Sequence, residues 1–209
     1  MKKTFMVMFL LAALPATSVL ADGAWGSSFG TLWTARSLGQ GGGDMGVGLG
    51  LGDNSTSFTG SFAYGLTQFT DVRFKLGLVD PDGGDTEFSL GADFKWQFWN
   101  FGPTTTNPFD FAVGGTFEFV DYDWLSVLQL GGFLVGSYPA ALSNNTTLSP
   151  YGRFGVRLES VSNGGSDSDL ELGLSGGVEW QVTPTVALFG EFQLDGNDGL
   201  FFGIDFEVM

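Results

Sequence analysis

The sequence predicts an all-β protein, a single up-and-down antiparallel transmembrane β-barrel, with ten strands as the expected count and eight as the alternative. Three observations predict it. Apolar and polar residues alternate with a period of two in segment after segment. The polar half of that alternation is rich in Gly, Ser and Ala, where a water-facing surface would carry Lys, Glu and Asp. The few basic residues of the strands all keep to the polar half.

The chain opens Met1-Lys2-Lys3, runs without charge from Phe5 to Leu14, and reaches Val19-Leu20-Ala21 with a small residue last. A basic start, a short apolar run and a small-residue cleavage site make a secretory signal peptide, expected over residues 1–21. The apolar run is about half the roughly 20 residues a spanning helix needs. Residues 22–42 form a Gly-rich N-terminal segment that could be a plug, an extra strand or a tail, and 43–209 form the barrel.

Composition excludes several functions. There is no Cys and no His, so there is no disulfide framework and the commonest general base and metal ligand are missing. Removing Lys2 and Lys3 with the leader leaves six Lys or Arg against 23 acids. Such a chain does not bind nucleic acid by counterion release. Gly at 34 of 209 residues would suggest disorder, but 22 Phe oppose it.

Ten segments alternate in turn. Met45, Val47, Leu49 and Leu51 oppose Asp44, Gly46, Gly48 and Gly50. Phe58, Phe62 and Tyr64 oppose Ser57, Thr59, Ser61 and Ala63. Val72, Phe74, Leu76 and Leu78 oppose Asp71, Arg73, Lys75 and Gly77. The fourth is the clearest, with Phe88, Leu90, Ala92, Phe94, Trp96 and Phe98 against Glu87, Ser89, Gly91, Asp93, Lys95 and Gln97. Phe109 to Phe119 follow, opposed by Asp110, Ala112, Gly114, Thr116 and Glu118. The sixth, about 125–138, is apolar on both faces and carries the weakest pattern. Leu148, Phe154, Val156 and Leu158 oppose Ser149, Tyr151, Arg153, Arg157 and Glu159. The last three set Leu170, Leu172, Leu174, Val178 and Trp180 against Glu171, Ser175, Glu179 and Gln181; Val186, Leu188, Phe192 and Leu194 against Glu191 and Gln193; and Leu200, Phe202, Ile204, Phe206 and Val208 against Gly203, Asp205 and Glu207.

A soluble sandwich would turn the apolar face inward, and an outer-membrane barrel turns it outward. Lys or Arg on a lipid face costs about 2–4 kcal/mol at the midplane. The exclusion of Arg73, Lys75, Lys95, Arg153 and Arg157 from the apolar face therefore favours the barrel. An even strand number puts both termini on one side, the periplasmic one. The odd turns, such as Asp80–Asp85, Asp121–Asp123 and Asp195–Gly199, all carry acids, in most of them beside Gly, Asn or Pro. The even turns carry none, so the two rims face different environments. Tyr64, Trp96, Trp99, Tyr138 and Trp180 fall at even-turn ends, and Phe58, Phe88, Tyr122, Trp124 and Phe202 near odd-turn ends, giving two aromatic girdles.

These features, with turns such as Tyr64-Gly65-Leu66-Thr67 and the terminal Leu200-Phe202-Ile204-Phe206-Val208 pattern, resemble the small outer-membrane β-barrel family that includes OmpA-like barrels. The stretch Thr34-Ala35-Arg36-Ser37-Leu38-Gly39-Gln40-Gly41-Gly42 also looks like the N-terminal region of fatty-acid-transporter-like barrels. The first resemblance implies location in the outer membrane of a Gram-negative envelope, contact with its lipid and lipopolysaccharide, and insertion by the barrel-assembly machinery. Family members usually end on an aromatic, whereas this chain ends Val208-Met209.

Site residues follow from the pattern. Gly41-Gly42-Gly43-Asp44-Met45-Gly46 matches a dinucleotide fingerprint but lacks the strand before and helix after it, so it reads as the entrance to the first strand. Asp80, Asp82, Asp85, Asp167 and Asp169 are candidates for divalent cations shared with lipid phosphates, although the spacing of a calcium-binding hand is absent. No cofactor is expected, and no catalytic residue. The lumen charges are Arg73, Lys75, Asp93, Lys95, Arg153, Arg157, Glu171, Glu179, Glu191, Asp205 and Glu207. Register places Arg73 opposite Asp93, Asp71 opposite Lys95 and Arg157 opposite Glu171, each such pair adding roughly 0.2–1 kcal/mol. Glu179, Glu191, Asp205 and Glu207, with Asp44 across the closure, have no basic neighbour and form an acidic wall. Two functions follow: a narrow cation-preferring pore, or a structural or surface-interaction barrel with a filled interior and no flux. Neither is an enzyme.

Overall fold

The computed structural model describes residues 25–209 apart from 54, 83, 101–108, 124, 143–145 and 163–164. The expected leader and Trp124 therefore lie outside the described residues. Eleven strands run in chain order: β1 Gly43–Gly52, β2 Ser55–Gly65, β3 Thr70–Pro81, β4 Glu87–Asn100, β5 Asp110–Tyr122, β6 Leu125–Ser137, β7 Ala140–Ala141, β8 Thr147–Ser162, β9 Ser166–Thr183, β10 Val186–Leu194 and β11 Gly199–Glu207. Ten of them pair antiparallel with their neighbours in sequence, and the ladder closes where β1 meets β11. The seam is in register, with Val47 opposite Ile204 and Leu49 opposite Phe202. The structure is thus a closed ten-strand barrel without helices among its described residues, and closure pairs each of the ten strands on both sides.

The extra element is β7. It pairs with Leu148 and Thr147 of β8, continuing the line of β6 on the same partner. Tyr138 and Pro139 separate it from β6, and Pro has no N–H to give to a ladder. The sequence pattern treats this stretch only as a turn.

The apolar face points outward and the polar face inward. Phe94 is 48% and Ile204 37% exposed on the outer face, while Lys95 is 0% and Arg157 8% exposed inside. One bulge between Gln97 and Trp99 adds a residue to β4. Phe98 and Trp99 consequently both face outward. Trp96 and Trp180 are exposed toward the even-turn rim, and Phe58, Phe88 and Phe202 toward the other.

One expectation is corrected. Tyr122, assigned to the odd-turn girdle, is only 7% exposed and points inward. It packs with Val79, Val120, Leu125 and Val127 and lies 5.2 Å from the Trp25 ring. The same packing explains β6. Its inner face carries Leu125, Val127, Phe133 and Val135, which join two apolar clusters inside the lumen, so both faces had to be apolar.

Candidate functional site: the occupied lumen

Side chains just fill a barrel of about eight strands, so ten leave room along the axis. Residues 25–42 take that room. Trp25 sits by the odd-turn rim against Tyr122. The chain then crosses the lumen and reaches the even-turn rim, where Gly41 N–H donates to the Gly65 carbonyl (2.9 Å) and Gly65 N–H to the Gly42 carbonyl (2.8 Å). Gly39 and Gly41 adopt φ of 80° and 82° in the reversal that feeds β1, a conformation open to glycine at little cost. The ends of the barrel itself do share a rim, since Val208 N–H donates to the Gly43 carbonyl (2.8 Å). This is the shared rim expected for an even number of strands, while Trp25 lies at the opposite one.

The segment has no regular structure, so its main chain must find other partners or remain unsatisfied in a low-dielectric interior. Barrel side chains supply them. Trp25 N–H donates to Glu159 (2.9 Å), Ser27 N–H to Asp195 (3.0 Å), Ser37 N–H to Gln97 (2.9 Å) and Leu38 N–H to Asp71 (3.2 Å). In return Gln129 donates to the Gly26 carbonyl (2.7 Å), Gln193 to that of Ser27 (3.0 Å), and Lys95 Nζ to those of Thr34 (2.9 Å) and Arg36 (2.6 Å).

The tightest part lies at Thr31 and Leu32. Their successive N–H groups converge on the Glu191 carboxylate at 2.6 and 3.0 Å. The Thr31 hydroxyl also donates to Glu191, as does Tyr151 Oη at 2.6 Å. Their successive carbonyls accept from Arg73 at 2.8 and 3.2 Å. Arg73 Nε in turn donates to Asp93 at 2.9 Å. Leu32 has φ of 34°, unusual for a bulky residue. That conformation turns two consecutive N–H groups to one side, a nest for an anion. The strain, of order 1–3 kcal/mol, is offset by several charge-assisted bonds.

Aromatic rings of the segment complete the cation shells. The Trp33 ring lies 4.0 Å from Lys95 Nζ and 4.5 Å from the Arg73 guanidinium, and the Phe29 ring 4.9 Å from Lys75 Nζ. Two sockets receive apolar side chains. A Cβ at Gly77 or Gly91 would stand 3.0 or 3.2 Å from the Phe29 ring, and one at Gly48 or Gly203 would stand 3.1 or 3.0 Å from the end of Leu32. Inward glycine leaves space, and the space holds the segment.

The sequence-derived lumen charges fall out as follows. Arg73 pairs with Asp93, Lys95 with Asp71 (3.3 Å), and Lys75 with Asp93 (3.2 Å) and Glu118 (2.7 Å). Arg157 does lie opposite Glu171 in the ladder, but its guanidinium goes elsewhere: Nη1 to Asp195 at 2.8 Å and Nε to Glu159 at 3.5 Å. Asp195 lies in the turn between β10 and β11. Burial raises its carboxyl to about 6, while Arg157 and the Ser27 N–H pull it down. Arg153 stacks on Phe133 at 3.9 Å. Glu191 of the acidic wall is met by the N–H groups of the segment, and Glu179 by the Thr34 hydroxyl at 3.2 Å. Glu179, Asp205, Glu207 and Asp44 line a cavity of about 210 Å³ at the even-turn rim, beside Arg36 and Trp33. Asp80, Asp82, Asp85, Asp167 and Asp169 are exposed near the odd turns. Among the described residues no three carboxylates form a metal-holding group.

Sequence reasoning put Tyr151 and Gln193 on the polar face and offered a plug as one role for 22–42, but it named no partner for any of them and missed Asp195 and Gln129 as lumen contacts. Two signals could have found the segment: acids facing inward without basic neighbours, and lines of inward glycine too wide for strand side chains to fill.

No protein-family model matches the sequence, and no curated protein does. Among solved structures the chain is similar to a de novo designed transmembrane β-barrel, at 16% identity over 81% of this chain and 97% of that one, with TM-score 0.39. It is similar to the KdgM porin at 7% identity over 79% and 99%, TM-score 0.41. It is also similar to Ail, the attachment invasion locus protein of Yersinia pestis, at 11% identity over 81% and 100%, TM-score 0.25. The closure into ten strands and the outward apolar face are properties of this chain's own ladders.

Proposed function

We propose that this chain is an exported, non-enzymatic outer-membrane barrel sealed by its own N-terminal segment, acting as a structural or surface-interaction protein that passes no solute while the segment is in place. The observation that carries this reading is the clamp at Thr31 and Leu32, where Glu191 and Arg73 bind two consecutive peptide groups from opposite sides. Buried charges are costly unless paired and hydrogen-bonded. The segment supplies the partners that the wall charges need, so an occupied lumen is the state in which they are satisfied. Glu191 and Asp93 already accept bonds from N–H, hydroxyl and cationic donors, which argues against their use as acid–base catalysts.

In this reading residues 1–21 direct export and the barrel-assembly machinery inserts the chain. The outer face contacts membrane lipid, and the acidic odd turns meet lipopolysaccharide at the cell surface. The refolded full-length protein is expected to give no conductance steps in a planar bilayer. Steady channel-sized steps from the intact chain would overturn the proposal. A cation-preferring pore is the second reading, favoured by Asp44, Glu179, Asp205 and Glu207 around the cavity at the even-turn rim. It requires the segment to leave, and a reversal potential in a salt gradient would report the cation preference.

A further inference from the structure

The wall reads main chain more than side chain. Between Trp25 and Leu38, peptide N–H groups find Glu159, Asp195, Glu191 and Asp71. Peptide carbonyls find Arg73 and Lys95. Any polypeptide except proline offers the same groups in the same order. Side-chain selection adds two aromatic rings four residues apart, Phe29 on Lys75 and Trp33 on Arg73 and Lys95, Leu32 in the Gly48–Gly203 socket between them, and hydroxyls that donate to wall acids, Ser27 to Glu118, Thr31 to Glu191, Thr34 to Glu179 and Ser37 to Asp71. The segment is joined to the barrel at a single point, the exposed turn at Gln40 and Gly41, where a Cβ on Gly41 would meet nothing within 4 Å.

We propose that the lumen is a polypeptide-binding channel, that residues 25–39 are its tethered occupant, and that it accepts in their place a separate peptide of the same chemistry: an irregular strand with two aromatic side chains at positions i and i+4 among small and hydroxyl residues. The tether gives the internal occupant a high effective concentration, so an external peptide enters only when the internal one is released. This inference rests on the sealed-barrel reading.

The test uses the full chain with a protease site inserted between Gln40 and Gly41. The protein is refolded, cut, and challenged with a fluorescent synthetic peptide of residues 22–40, both directly and through an unfolding and refolding cycle in peptide excess. Saturable uptake, read by anisotropy, is expected, together with conductance steps after the cut segment is washed out and their block by added peptide. A peptide with Leu32→Pro, which lacks that N–H and cannot take its φ, is expected to bind at least about tenfold more weakly. A peptide with Phe29 and Trp33 both changed to Ala should show a similar loss, whereas Gln40→Ala, at an exposed position, should cost less. No uptake by either route overturns the proposal, as does equal binding of all peptides. Conductance by the uncut protein would instead fail the sealed-barrel reading, so the two failures are distinguishable.

Discussion

Replacing Glu191 with Gln changes one oxygen of a fully occupied carboxylate to an amide nitrogen. One oxygen accepts the Thr31 N–H, and the other accepts the Leu32 N–H with the Thr31 and Tyr151 hydroxyls. Hydroxyls can rotate to accept a bond from the new NH2, but a peptide N–H cannot. Whichever way the amide sits, one main-chain donor is left facing another donor in a buried site. An unsatisfied buried group costs about 1–3 kcal/mol. Taking about 2 kcal/mol, the local opening equilibrium of the segment should rise roughly 30-fold. Hydrogen exchange of the refolded protein in micelles, read by mass spectrometry, measures this directly. Peptides spanning residues 25–39 should exchange roughly 30-fold faster, with the amides of β1 to β6 unchanged. Unchanged exchange of Thr31 and Leu32 would refute the clamp. Equal acceleration throughout the barrel would show that Glu191 serves the wall and not the segment.

Three further outcomes are expected. Gly48→Val fills the Leu32 socket, where a Cβ meets the end of Leu32 at 3.1 Å before any wall atom, so overpacking of about 1–3 kcal/mol should fall on the segment; its exchange should quicken while the strand content by circular dichroism stays the same. Leu76→Lys places a cation on the outer face of β3 and should cost about 2–4 kcal/mol in reversible unfolding from lipid; a neutral effect would mean that this face does not meet lipid. An epitope inserted after Asp85, exposed in the odd turn between β3 and β4, should be reached by antibody on intact cells. One appended after Met209 should be reached only after the envelope is opened.

Much of the fold was legible in the sequence because a barrel strand shows its two environments at every second residue. In β4, Phe94 and Lys95 differ in exposure as their chemistry requires, and the register that pairs Arg73 with Asp93 follows from counting outward from an acidic turn. Local rules of that kind fail where the partner is distant in sequence. Arg157 obeys the ladder in its backbone yet sends its guanidinium to Asp195, 38 positions away, because the interior lets a long side chain choose among several acids. Tyr122 looks like a girdle residue by position and becomes a lumen residue because Trp25 is there to receive it.

The alternation of the strands, the sign of each face and the even strand count are set by the chain alone, since each depends on neighbours two residues apart or on the next hairpin. What occupies the centre was decided only by tertiary structure. Residues 25–39 have no periodicity to betray them, and their bonds to the barrel side chains reach partners 33 to 170 positions away. Closing the sheet is what turns a wall of unmatched carboxylates and open glycines into a site, and residues 25–39 supply the donors that those carboxylates accept from.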